Sequence, residues 1–128
     1  MIARTWSGRV PRGHAEAFHA HLLRTGVADY RVARGCRAAW VGRRHEADES
    51  WTRFVLVSLW DAAADAERFA RERSGANAAV LYDGDDAFEL EPDRDVTHYD
   101  VLAGGFGDAV GADSTTERTA DASNRRLA

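Results

Sequence analysis

Trp51-Thr52-Arg53-Phe54-Val55-Leu56-Val57-Ser58-Leu59-Trp60-Asp61 is the one long apolar run of the chain, and it ends abruptly at a carboxylate. At period two it places Phe54, Leu56, Ser58 and Trp60 on one face and Val55, Val57 and Leu59 on the other, the pattern of a central strand with no face suited to water. Both faces must then be covered. A chain of 128 residues has room for about one domain, in which a single layer of helices covers one face of a sheet. The simplest cover for the other face is a second copy of the chain, so the stretch predicts a homodimer.

Composition bounds the rest. An apolar content of 45% is enough for a hydrophobic core. No segment approaches the roughly 18 apolar residues of a membrane span, and Met1 to Trp6 lacks the layout of a signal peptide, so the expectation is a soluble cytoplasmic protein with no membrane partner. The single Cys36 excludes an intramolecular disulfide and reads as a small buried residue. Every base is arginine, which excludes a lysine nucleophile or Schiff base, and the formal charge of −4 argues against a general nucleic-acid surface.

Working outward from the central run, Ile2, Arg4 and Trp6 alternate with Ala3 and Thr5 as a first strand over Met1 to Ser7, which Gly8 and Pro11 are expected to end. From His14 the spacing turns helical, with Ala15, Phe18, Leu22 and Tyr30 on one stripe, a bend or break at Gly26 and a stop at Gly35. Cys36 to His45 returns to strand character, and the polar Glu46 to Ser50 joins it to the central strand as an antiparallel hairpin. Asp61 is expected to cap a helix from Ala62 to about Arg73, with Ala66, Phe69 and Ala70 inward and Ser74-Gly75 as its stop. Tyr82 to Asp86 reads as a turn, and Val96 to Leu102 as the last strand, with Val96, His98 and Asp100 on one face. Residues 103–128 hold too few large apolar side chains to offset ordering entropy and are expected to be a disordered tail, leaving one domain over 1–102.

The order strand, helix, strand, strand, helix, strand predicts an α+β fold of the ferredoxin-like split βαβ type (βαββαβ), with an antiparallel sheet and both helices on one face. Within this frame, Ile2-Ala3-Arg4-Thr5-Trp6, then Phe54 to Asp61 followed by Phe69-Ala70, and finally His98-Tyr99-Asp100-Val101 resemble the antibiotic biosynthesis monooxygenase-like proteins, over Met1 to Leu102. The resemblance implies a dimeric α+β barrel. It also implies a choice of activities, since that superfamily includes cofactor-free monooxygenases, haem-degrading enzymes and members without known chemistry. The haem-degrading branch carries an Asn on the first strand, a Trp after the third and a His on the second helix, and only the Trp has a counterpart here, Trp60. The cofactor-free branch lets the anion of a phenolic polyketide pass an electron to dioxygen. It implies no cofactor and a dry site that holds an anion.

Arg4 is the natural anion partner, being charged at any relevant pH, although an interface or surface salt bridge is the plainer role. His98 is the candidate base, on the same face as Asp100 and on a strand that this topology sets beside the first. Its plainer role is an edge-strand histidine at a dimer contact. Trp6, Trp40 and Trp60 are candidate walls for a small aromatic ligand, or simply core, and Tyr82 is a candidate lid residue, or simply a turn residue. His14, His19 and His21 are not spaced as metal ligands and read as a solvated helix face, while Asp83, Asp85 and Asp86 lack the oxygen set of a calcium loop and read as a solvated turn. No metal site is expected. Two functions remain: a cofactor-independent monooxygenase acting on a small aromatic or polyketide-like substrate, and a non-catalytic small-molecule-binding or structural dimer. The space between sheet and helices discriminates them.

Overall fold

The computed structural model describes residues 1–73, 79–105 and 107. In chain order the elements are β1 (Ile2–Pro11), α1 (Ala15–Arg24), α2 (Gly26–Val32), β2 (Cys36–His45), β3 (Trp51–Trp60), α3 (Ala63–Arg71), β4 (Glu91–Pro92) and β5 (Thr97–Asp100), with 3-10 turns at Arg12–His14 and Asp85–Phe88. All strand pairs are antiparallel, in the spatial order β2-β3-β1. Two short strands share the free edge of β1: β5 lies opposite Ile2 to Thr5, and β4 opposite Gly8 and Arg9. This is the expected ferredoxin-like α+β sheet with one short strand added.

The central run behaves as its alternation demands. Thr52, Phe54, Leu56, Ser58 and Trp60 are buried and the residues between them half-buried, and β1 repeats the pattern with Ile2, Arg4, Trp6, Gly8 and Val10 inward. Phe18, Leu22, Val27, Tyr30, Ala66 and Phe69 of the three helices join Ile2, Trp6, Phe54, Leu56 and Trp60 in one core, so the helices cover this face. Burial of each large side chain there stabilises the fold by roughly 1.5–3 kcal/mol. Thr5, Val55, Val57, Leu59 and Trp40 lie on the opposite face of the sheet.

The expected break at Gly26 is present, with Thr25 between α1 and α2. Gly8, in contrast, does not end β1. A Cβ at Gly8 would stand 2.9 Å from Trp6 ring atoms and 3.1 Å from the Pro92 Cα, so the glycine makes room for the indole and for β4 while the strand runs on to Pro11. Asp61 does not cap α3. The cap position is Ala62, without a side-chain hydrogen bond, and the Asp61 carboxylate instead accepts from Arg37 Nε at 2.7 Å. One residue too early, it is held by its own backbone N–H, which donates to the Gly35 carbonyl at 2.8 Å. The last strand is shorter than expected, although Val96 is buried and the Val101 N–H still reaches the Met1 carbonyl at 2.9 Å. The Ser74-Gly75 stop and nearly all of the 103–128 tail lie outside the described residues. No helix among the described residues is long and apolar enough to cross a membrane.

Candidate functional site

One row of the sheet carries the polar centre. Ala39, Ser58, Arg4 and His98 are register partners across β2, β3, β1 and β5, on the face that the helices cover. Arg4 is 1% exposed, and its Nη1 donates to His98 Nε2 at 3.3 Å. Its guanidinium carbon lies 5.9 Å from the centre of the Phe69 ring, within reach of a cation–π attraction. Trp60 Nε1 donates to Ser58 Oγ at 2.9 Å, and that hydroxyl donates to the Arg4 carbonyl at 3.4 Å.

Tyr30 completes this centre. Its ring packs on Phe69 at 4.8 Å and edge-on against Trp60 at 6.1 Å. Burial pushes its hydroxyl above the usual tyrosine range, while the charge of Arg4 and hydrogen bonding to Arg4 and Ser58 pull it back. The sequence places Tyr30 only on an apolar stripe. The signal it carried was chemical, because a buried phenol needs a polar partner.

Arginine has no acceptor, so His98 accepts through Nε2 and its proton sits on Nδ1. Burial first, and the neighbouring Arg4 charge second, lower the His98 pKa below its ordinary value near 6.5, with Glu67 opposing. The imidazole is neutral near pH 7. The like charge of Arg4 acts in the same direction as burial, but burial leads.

Beside this centre, Trp6 and Leu56 of the sheet face Phe18, Gly26 and Tyr30 of the helices around a chamber of about 10 Å³, room for about one water. Val80, Tyr82 and Asp85 close it. Trp6 is 5% exposed, and its Nε1 has no hydrogen-bond partner among the described residues. Tyr82, the expected lid residue, donates its phenol to Asp29 at 2.5 Å, and the same carboxylate takes a two-pronged hydrogen bond from Arg73 at 2.6 and 2.9 Å. Burial and then the Asp29 carboxylate hold the Tyr82 hydroxyl far above the ordinary tyrosine range.

Two expected solvated residues prove to be buried. His21 Nε2 donates to Asp85 Oδ1 at 2.6 Å, and Asp85 Oδ2 accepts the Tyr82 N–H at 2.8 Å. His21 follows Phe18 by three residues, so it shares the inner stripe of α1, where its ring lies 5.9 Å from Phe18 and 5.0 Å from Phe88. His14 pairs with Glu89 at 3.1 Å, and His19 is half-buried. Among the described residues no group of three or more metal-ligating side chains comes together.

The structure separates the three tryptophans. Trp60 lies at the Arg4 centre and Trp6 at the chamber, but Trp40 is 46% exposed and faces away from both, paired with Val57 on the opposite side of the sheet. Phe69 and Tyr30 stand where the aromatic wall expected Trp40. Cys36 is half-buried and burial raises its thiol pKa, which keeps it protonated.

No family model matches the chain, and no curated protein matches it. Among solved structures, a Deinococcus radiodurans protein provisionally named an antibiotic biosynthesis monooxygenase is similar, with a TM-score of 0.57 and 16% identity over 83% of this chain and 97% of that one. The two share a fold. The Rv0793 protein of Mycobacterium tuberculosis gives a TM-score of 0.49 at 18% identity, covering 83% of this chain and 100% of that one. The PA3566 protein of Pseudomonas aeruginosa gives 0.48 at 22% identity, covering 80% and 97%. The ferredoxin-like architecture expected from the order of elements is the one observed, and a solved protein named for the family that the sequence resembles shares the fold.

Proposed function

We propose that the chain is a cofactor-independent monooxygenase acting on a small phenolic or polyketide-like aromatic, with Arg4 and His98 as its working pair. The observation that carries this reading is the 3.3 Å contact between a buried, permanently charged guanidinium and a neutral imidazole, walled by Trp60, Tyr30 and Phe69. A substrate hydroxyl inserted between the two gives its proton to His98 Nε2, and the resulting oxyanion takes the Arg4 hydrogen bond that His98 releases. The electron-rich anion then reduces dioxygen. For a ring CH₂ oxidised to C=O, one oxygen atom enters the product and the other leaves with both hydrogens as water. Burial strengthens each of these charge interactions.

The uncovered sheet face, with Val57, Leu59 and Trp40, supports a homodimer as the working state. Oxygen uptake with a panel of phenols and hydroquinones, free of metal and flavin, tests the activity. Turnover of at least one compound, lost in His98→Ala and weakened through KM in Arg4→Met, is the expected result; no uptake with any compound removes the monooxygenase. A second reading, a non-catalytic small-molecule-binding dimer, is favoured by the chamber of about 10 Å³, which aromatic side chains nearly fill.

A further inference from the structure

We infer that the indole N–H of Trp6 is a ligand-binding donor, receiving one oxygen of a planar aromatic ligand whose other oxygen is held at Arg4. The inference rests on the anion-binding role proposed for Arg4. Nearly every buried donor in a folded protein has an acceptor, yet Trp6 is 5% exposed and its Nε1 has none among the described residues. A phenylalanine would supply apolar packing there without an unmet donor, so the nitrogen calls for a use beyond packing.

The surroundings supply that use. Trp6 lines the chamber together with Tyr30, and Tyr30 also interacts with Arg4, so one ring joins the two places. Arg4 and Trp6 are alternate residues of β1 on the same face, hence about 6.6 Å apart along the strand. A ring with oxygens on opposite edges offers an acceptor to each of the two side chains; a ring with one oxygen satisfies only Arg4. Gly26 keeps the chamber open, since a Cβ there would lie 3.2 Å from Leu56 Cδ1 and 3.8 Å from Tyr82 Cε2.

A ring needs more room than one water. The element that yields is the strap Val80 to Asp85, whose residues 80–84 form neither helix nor strand. Two side-chain anchors hold it over the chamber, Tyr82 on Asp29 and Asp85 on His21. Outward displacement of the strap leaves the sheet and the Arg4–His98 pair in place.

Hydroquinone and phenol, titrated under argon and followed by protein NMR, test the assignment. The Trp6 indole resonance is identified by its loss in Trp6→Phe. Hydroquinone is expected to shift that resonance and phenol to leave it unmoved, and hydroquinone is expected to bind about ten-fold more tightly, the worth of about one hydrogen bond to a buried donor. Trp6→Phe should abolish this preference while phenol affinity stays the same. Gly26→Ala, which favours the helix and puts a methyl into the chamber, should weaken hydroquinone at least ten-fold in a folded protein. An unmoved indole resonance, absence of hydroquinone binding, a preference that survives Trp6→Phe, or wild-type hydroquinone binding by Gly26→Ala each overturns the assignment. Oxygen uptake is read separately. Binding with the expected preference but no uptake removes the monooxygenase and leaves the Trp6 donor standing; uptake without the preference does the reverse.

Discussion

Arg4 and His98 stand directly opposite each other in the β1–β5 register, with Nη1 3.3 Å from Nε2, and the arginine, having only donors, makes the histidine an acceptor. Protonating His98 breaks that bond and sets two positive charges side by side. Because its folded-state pKa lies below the ordinary 6.5, the unfolded chain binds the extra proton first as pH falls. Stability is therefore expected to rise with pH through the window between the lowered folded value and 6.5, and to be lost on the acid side. His98→Gln keeps an acceptor for Arg4 but does not titrate. Urea melts over roughly pH 5 to 7 should show a flatter pH dependence for this variant than for wild type; equal slopes would place the titration elsewhere.

The two faces of β3 make opposite predictions for neighbouring residues. Leu56 is buried under the helices, whereas Val57 lies on the other face of the sheet, between its register partners Thr5 and Trp40. Leu56→Asp buries an unpaired carboxylate and should leave no cooperative melt. Val57→Asp should leave a folded protein that sediments as a monomer. Wild type is expected to sediment as a dimer at micromolar concentration, and a wild-type monomer would end the dimer proposal.

His21 and Asp85 form the best-buried side-chain pair among the ion pairs of the described residues. Asp85→Ala deprives the His21 ring and the Tyr82 N–H of their common acceptor, at an expected cost of about 2–3 kcal/mol in a urea melt. His21→Leu together with Asp85→Ala should cost less than the sum of the two single changes, since the second loss finds no partner left to strand. Strict additivity would show that the pair contributes little.

Much of the frame was legible because it is written in short periods. The alternation in β1 and β3, the stripe Ala66, Phe69 and Ala70, and the break at Gly26 all lie within a few residues of one another. That Arg4 and His98 lie on neighbouring strands was legible too, from strand order, across 94 residues, while the face they share was not. The His21–Asp85 pair was not. Its partners are 64 residues apart and join a helix to an irregular turn, where no register links them. Each looked solvated in its own window, since only the other makes its burial tolerable. Trp40 shows the reverse, an aromatic that composition assigns to a wall and strand parity assigns to the far face.

The ten-residue alternation of β1 also constrains how this chain can vary. Its even positions serve the enclosed centre and its odd positions the opposite surface, so the two sets can drift by substitution almost independently. Loss of one residue between Arg4 and Trp6 would instead put these two on opposite faces, so that one of them left the helix-covered side unless part of the strand bulged to restore its pairing with β3. Viable descendants should keep the parity of β1 while substitutions occur within each set, and length changes should collect in the connections instead.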